Sequence, residues 1–414
     1  MLIAIAIACF LAACTPGYAQ DPIDPIGADL QSLINQVFTP KPPAGTPEPP
    51  PSTSAPPDPP MPTTAQPVIE SHGGGAEDCE CVPYYQCKNG TIIKNGEGII
   101  DIRINDGPCD TYIDICCKVS DRVIDPITPP PTKAPKGCGY RHSDGTGLRI
   151  TGDKNGEAQF GEFPWMVALL REEEIEGNPI KLNVYQCGGA LIGPRAVLTA
   201  AHCVAKKNKS FKVRIGEWDT QHEKEIYPYQ DRDVVSMEIH PNYYAGALYN
   251  DVALLILNAP VEAAPHIGFV CLPEQGKLFD SGRGFATGWG KDQFGKKGTY
   301  QVILKKIELP VVRSDVCQDK LRTTRLGRFF ELHQSFICAG GEPGKDTCKG
   351  DGGSPFVLPE SPDSDRYVQA GIVAWGIGCG ENGIPGVYVN VAMFRDWIDE
   401  KMRHHLLDTT TYQY

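Results

Sequence analysis

Asp346-Thr347-Cys348-Lys349-Gly350-Asp351-Gly352-Gly353-Ser354-Pro355 is the stretch on which the fold of this chain is read. It is a glycine-rich turn between two apolar runs. Two further signals lie upstream. Thr199-Ala200-Ala201-His202-Cys203 places a histidine just after an apolar strand. Asn250-Asp251-Val252-Ala253-Leu254-Leu255 places an aspartate at the entry to another. Each has an ordinary structural meaning taken singly: a histidine beside a structural cysteine, a turn aspartate, a glycine turn. Their order along one chain gives them a joint meaning.

The surroundings are β-rich. Short runs of Val, Ile, Leu and Tyr at residues 164–170, 189–198, 252–257, 301–312, 369–375 and 386–391 alternate with Gly, Pro and Asn turns, the pattern of an all-β domain. Residues 392–407 place Phe394, Trp397, Ile398 and Met402 at helical spacing, predicting one amphipathic C-terminal helix.

Toward the N-terminus the composition changes. Residues 126–135 are a Pro-rich linker. Residues 79–117 hold Cys79, Cys81, Cys87, Cys109, Cys116 and Cys117; a unit this small needs cross-links to fold. Spacing alone leaves every pairing of the six open. A second Pro, Thr, Ser and Ala-rich stretch runs from Thr39 to about Pro67 and cannot bury a core. Before it, Leu30, Leu33, Ile34 and Val37 lie on one helical face, a frayed tail or a short docking helix. Residues 2–13 are apolar and lead to Gly17-Tyr18-Ala19, a signal-peptide pattern cleaved after Ala19. The run falls short of the roughly 20 residues that span a bilayer. The expected organisation is signal peptide 1–19, tail and linker 20–78, cysteine module 79–117, linker 118–137 and β domain 138–414.

The 414 residues exceed a usual single domain. The net charge of −12 argues against nucleic acid as the main partner. Of the 16 cysteines, Cys9 and Cys14 leave with the signal, and the even remainder in an oxidising compartment predicts full pairing.

In order and spacing, the three signals resemble the chymotrypsin/trypsin family. Gly161-Glu162-Phe163-Pro164-Trp165, Cys187-Gly188-Gly189, Gly288-Trp289-Gly290, Ala374-Trp375-Gly376 and Pro385-Gly386-Val387-Tyr388 resemble its other landmarks. The resemblance covers residues 138–407. It implies two six-stranded antiparallel barrels, a C-terminal helix, and disulfides Cys138–Cys271, Cys187–Cys203, Cys317–Cys338 and Cys348–Cys379. It puts His202 at the base position, Asp251 at the position that orients it, the amides of Gly350 and Gly352 at the oxyanion hole, and Asp346 at the base of a pocket selecting Arg or Lys. The family turn reads Gly-Asp-Ser-Gly-Gly-Pro. Here Cys348, Asp351 and Pro355 hold the register and put Gly352 at the serine position. Without a hydroxyl beside the base no acyl-enzyme forms; in a related triad system, losing the serine removes about six orders of magnitude in turnover. Ser354 lies up to roughly 6–7 Å further along the chain, against a tolerance of ~1 Å. The activation segment also departs from the family's Ile-Val-Gly-Gly, reading Arg149-Ile150-Thr151-Gly152-Asp153.

The cysteine module, with Cys79-Glu80-Cys81 and the doublet Cys116-Cys117, resembles the clip domain of arthropod haemolymph proteases. That resemblance implies pairs Cys79–Cys116, Cys81–Cys109 and Cys87–Cys117. Clip domain and serine-less protease domain together resemble the clip-domain serine protease homologues, of the prophenoloxidase-activating factor II or masquerade-like type. These imply a secreted haemolymph cofactor with no catalytic cofactor of its own. Its partners are prophenoloxidase or phenoloxidase and clip-domain proteases, and it is cut inside the clip domain, here expected at Arg103-Ile104, then self-associates. Two rival expectations are an active protease using Ser354 and a recognition or adhesion protein on a protease scaffold. Asn89 and Asn208 match the N-glycosylation pattern. Gly216-Glu217-Trp218-Asp219-Thr220, followed by Glu223 and Glu225, resembles a calcium loop, with Glu217 as candidate ligand for Ca2+.

Overall fold

The computed structural model describes short stretches within residues 79–122, including 79–83, 99–101 and 114–118, and most of 137–414. Outside the described residues in the latter part are 147–148, 152–155, 175–180, 207–208, 222–224, 292–299 and 381–382, with single positions 226, 349, 363 and 379. The expected signal peptide, tail helix, Pro-rich stretches 39–67 and 126–135, Arg103, Ile104, Asn89, Asn208, Glu223 and Cys379 lie outside the described residues.

In the cysteine module, β1 (Cys79–Pro83) pairs antiparallel with β3 (Asp114–Lys118), setting Cys81 opposite Cys116. Disulfides join Cys81 to Cys109 and Cys87 to Cys117, and Cys116 is also bonded. The side chain of Cys79 is outside the description. The apolar centre is small: Val82, Cys87 and Cys117. Half-cystines therefore replace the aliphatic core that so short a unit cannot supply. Between these strands, β2 (Ile99–Asp101) pairs in parallel with β4 (Arg149–Thr151), which lies far along the chain.

The main body is two closed barrels of six antiparallel strands. The first comprises β5 (Met166–Glu174), β6 (Lys181–Gly193), β7 (Ala196–Thr199), β8 (Phe211–Ile215), β9 (Gln230–Ile239) and β10 (Ala253–Leu257), in spatial order β10-β7-β6-β5-β8-β9. The second comprises β11 (Arg283–Gly288), β12 (Lys305–Val312), β13 (Phe336–Gly340), β14 (Pro355–Pro359), β15 (Tyr367–Trp375) and β16 (Pro385–Asn390), in order β11-β12-β13-β16-β15-β14. Closure leaves no free sheet edge. β7 and β10 are buried throughout, and so read as unbroken apolar runs.

The structure changes some sequence expectations. The apolar run 189–198 is two strands, because Pro194 and Arg195 turn the chain between β6 and β7. The run 301–312 becomes strand only from Lys305. The C-terminal segment begins as a 3-10 turn, Val391–Phe394, before an α-helix, Arg395–His404. Its face holds Phe394, Ile398 and Met402, all nearly fully buried. Among the described residues no helix is long and apolar enough to cross a membrane.

The barrels are tied to each other and to the preceding segment. Cys138–Cys271 links the segment after the linker to the start of the second barrel's approach, and Cys187–Cys203 and Cys317–Cys338 are formed. Glu162, fully buried, accepts from Arg141, Lys306 and the Gln159 N–H. Its charge is compensated by two cations, as a buried carboxylate requires.

Candidate functional site

β7 and β10 are antiparallel neighbours, with Thr199 opposite Ala253. The end of β7 and the entry to β10 therefore lie side by side. A four-residue helix, α1 (Ala201–Val204), follows β7 and carries His202. Asp251 directly precedes β10. Register alone thus brings together two residues 49 positions apart. Asp251 is fully buried; its Oδ1 accepts the His202 backbone N–H at 2.7 Å and its Oδ2 meets His202 Nδ1 at 2.6 Å. The second bond leaves Nε2 turned toward the cleft. Leu248 and Asn250, just before Asp251, have φ of 56° and 54°. Asn tolerates that region, while a leucine there is strained.

The second barrel supplies the turn before β14. Gly353 has φ +79°, and a Cβ on it would lie 2.4 Å from Thr199 Oγ1 and 2.6 Å from the Gly188 carbonyl. Only glycine lets the turn pack this closely on the first barrel. The Gly188 N–H donates to the Gly352 carbonyl at 2.9 Å. Tyr185 donates its hydroxyl to the Gly350 carbonyl at 2.9 Å. These contacts place residue 352 directly against the imidazole: a Cβ there would stand 2.7 Å from His202 Nε2. Among the described residues, neither the Gly350 nor the Gly352 N–H donates to a protein acceptor.

Ser354 faces the other way. It is fully buried, and its Oγ points at Gly188, where a Cβ would lie 2.0 Å from it. The hydroxyl has no hydrogen-bond partner among the described residues. The expectation that Ser354 might stand in as nucleophile is therefore corrected. The hydroxyl points into the packing between the barrels, toward Gly188 of the first and Gly288 of the second.

Two acids sit beneath the turn. Asp351 accepts the Gly290 N–H on Oδ1 and the Cys348 N–H on Oδ2, both at 2.9 Å. Asp346 accepts from Thr347 N–H at 2.8 Å and Gly380 N–H at 3.3 Å. Burial pushes each carboxyl up to about 6, with these hydrogen bonds pulling back. Both border one cavity of about 420 Å3, also lined by Gly288, Lys291 and Gln301. Among the described residues neither acid is ion-paired. Cys348 is disulfide-bonded; its expected partner Cys379 is outside the description.

The acids of the Glu217 loop are gathered around an arginine. Arg214 donates to Glu217 Oε2 at 3.2 Å and to Asp231, and stacks on Tyr229. The Trp218 N–H takes the other oxygen of Glu217. Glu225 is hydrogen-bonded to Glu217, and burial raises Glu217 to about 7 and Glu225 well above its ordinary value. The Arg214 guanidinium supplies a cation to Glu217 and Asp231. The expectation that Glu217 is a ligand for Ca2+ is not tested by these contacts; nothing in the spacing of Arg214 signalled its place here. Cys187, His202 and Cys203 also approach one another, but the cysteines are joined as a disulfide and offer no thiolate.

Two family models match the chain: Trypsin over residues 153–398, and Serine protease Clip domain PPAF-2 over residues 70–118. The chain is 60% identical over 299 residues to Phenoloxidase-activating factor 2 of Galleria mellonella, covering 70% of this chain and 98% of that protein. It is 38% identical over 324 residues to Inactive CLIP domain-containing serine protease A8 of Anopheles gambiae, covering 77% and 87%. It is 31% identical over 360 residues to Phenoloxidase-activating factor 1 of Holotrichia diomphalia, covering 79% and 92%.

Proposed function

Since this chain belongs to the trypsin family and carries a clip domain, we propose that it is a secreted, non-catalytic cofactor of the proteolytic cascade that activates prophenoloxidase in haemolymph. One observation carries the loss of catalysis: the position facing His202 Nε2 is Gly352, which has no hydroxyl to deliver. His202, Asp251, the Gly350 and Gly352 amides and Asp346 are the remaining parts of a cleft that binds without cutting. The names of the relatives support the cascade, and those called inactive support a non-catalytic role.

In this reading an upstream clip protease cuts Arg103-Ile104. The bond follows closely after β2, whose pairing partner is β4. A nick there would release one edge of that pair while disulfides keep the pieces joined. The cut form then self-associates and engages prophenoloxidase together with an active protease. Asn89 and Asn208 carry glycans in the secreted chain.

Reconstitution tests the proposal. Purified prophenoloxidase and an active clip protease are combined with intact or cut protein. The cut form is expected to raise phenoloxidase activity while cleaving no arginyl amide itself and taking no label from a fluorophosphonate probe. Hydrolysis abolished by His202→Ala, or no effect of either form on phenoloxidase output, would overturn it.

A further inference from the structure

β4 (Arg149–Thr151) belongs to neither barrel. Among the described residues its strand neighbour is β2 (Ile99–Asp101), which comes from the cysteine module. The two run parallel, with Ile99 opposite Arg149, Ile100 opposite Ile150 and Asp101 opposite Thr151. On either side of β4 the chain is fastened to the β domain. The Thr146 N–H donates to the Phe160 carbonyl at 2.8 Å, and the Lys306 N–H donates to the Gly156 carbonyl at 2.7 Å. Gly156 has φ +75°, and a Cβ there would stand 2.8 Å from the Lys306 carbonyl oxygen, so this fastening takes a glycine. β2 in turn lies between Cys87 and Cys109, which are bonded to Cys117 and Cys81. The Arg149–Ile150 bond thus sits in a short ladder whose two strands are pinned in different modules. Two strands this short are marginal by themselves, so the tethers at their ends hold the pair together. A trypsin-like protease reads the residues around the bond it cuts as an added strand, through their backbone groups. Here β2 has already taken one side of that strand.

We propose that β2 is a removable guard over Arg149–Ile150, which makes this bond a second cleavage site that opens once the clip domain has been nicked. The proposal rests on the reading that Arg103-Ile104 is cut, and it adds what that cut uncovers. After it, β2 lies at the loose end of its fragment, tethered from one side only, and the ladder opens locally. An arginine-specific protease then hydrolyses Arg149–Ile150. Water adds across the C–N bond, leaving an α-carboxylate on Arg149 and an α-ammonium on Ile150. Cys138–Cys271 keeps the severed segment on the barrels. The two cuts therefore come in a fixed order, and a free Ile150 end marks a molecule whose clip domain was nicked first.

Timed digestion with trypsin, read by mass spectrometry of the new N-termini, tests it. Every form carries Lys133→Gln and Lys136→Gln, which removes the basic residues in and beside the second Pro-rich stretch. Ends beginning Ile104-Asn105 should appear first, and ends beginning Ile150-Thr151 after a lag. Arg103→Gln should slow the Ile150 end at least about tenfold, because cleavage then follows the small population in which the ladder is open. Adding Ile99→Pro and Ile100→Pro to Arg103→Gln should restore the rate to within about threefold of the parent, since neighbouring strand residues aim their N–H groups to opposite sides and one proline must remove a donor facing β4. Thermal melts check that the barrels stay folded. Hydrogen exchange at Ile150 or Thr151, measured without protease, should speed up when the two prolines are added. If Ile104 ends form and the Ile150 end follows no faster than in Arg103→Gln, or if the prolines bring no gain in either measurement, the guard is refuted. If no Ile104 end forms and the prolines still release Ile150, the guard holds and the Arg103 reading fails instead.

Discussion

The two halves of the cleft have different histories written in their contacts. The half from the first barrel is complete: Asp251 is buried and doubly bonded to His202. The half from the second barrel keeps its backbone frame, with Gly352 bonded to Gly188 and Asp351 holding Gly290 and Cys348, yet presents no nucleophile. The imidazole stands closer to residue 352 than any side chain there would permit. The lesson is that backbone docking and catalytic chemistry are separable. The turn packs through glycines and amides, which survive the loss of one hydroxyl.

Breaking the docking itself should have the largest effect. Gly353→Ala forces a Cβ onto Thr199 and Gly188 at a positive φ, and should cost about 3 kcal/mol or more. Denaturant melts read this directly, and an unchanged midpoint would mean the turn is not held against the first barrel. Glu162→Ala strands Arg141 and Lys306 around an emptied buried site. Both cations keep some solvent, so about 2–3 kcal/mol is expected.

Refilling the vacant position sharpens the comparison. Gly352→Ser must push the imidazole aside and should destabilise by about 1–2 kcal/mol. In a double-mutant cycle His202→Ala should relieve most of that cost. Additive effects would show that the histidine has not settled into the vacated space.

The acids beneath the turn set a pH dependence. Asp351 has its folded value raised from 3.8 to about 6. The folded chain therefore binds more protons between those values, and this group's contribution to stability falls as pH rises through the window. Asp351→Asn removes the titration. Relative to the parent, the variant's melting temperature should gain as pH goes from about 4 to about 7. Opposite contributions, such as His266, whose buried ring is lowered to about 4, cancel in the difference. A constant gap across that range would mean the carboxyl is not enclosed. The smallest effect belongs to Ser354→Ala. Its hydroxyl has no partner among the described residues, so the change should stay within about 0.5 kcal/mol.

Much of this was legible beforehand. Val252–Leu257 is buried on both faces and reads as a strand because no polar residue interrupts it. The strands β8 and β9 were not picked out. β9 alternates exposed Asp233, Val235 and Met237 with half-buried neighbours, and Lys212 and Arg214 break the apolar run of β8. The join between β6 and β7 was missed because one apolar stretch continues across the turn. At the site, Tyr185 escaped notice: it meets Gly350 across 165 residues, and no local pattern encodes that distance.

The amino-acid order by itself determined that residue 352 has no side-chain hydroxyl, that cysteines staple the small module, and that His202 and Asp251 lie beside strands that could pair. Only the tertiary structure decided that the Ser354 hydroxyl is sealed between the barrels, that Arg214 sits among the acids of the Glu217 loop, and that Asp346 and Asp351 share a cavity. Composition sets which atoms exist. Their direction depends on backbone dihedrals in turns and on packing between segments far apart in the chain, which become definite only when both barrels close.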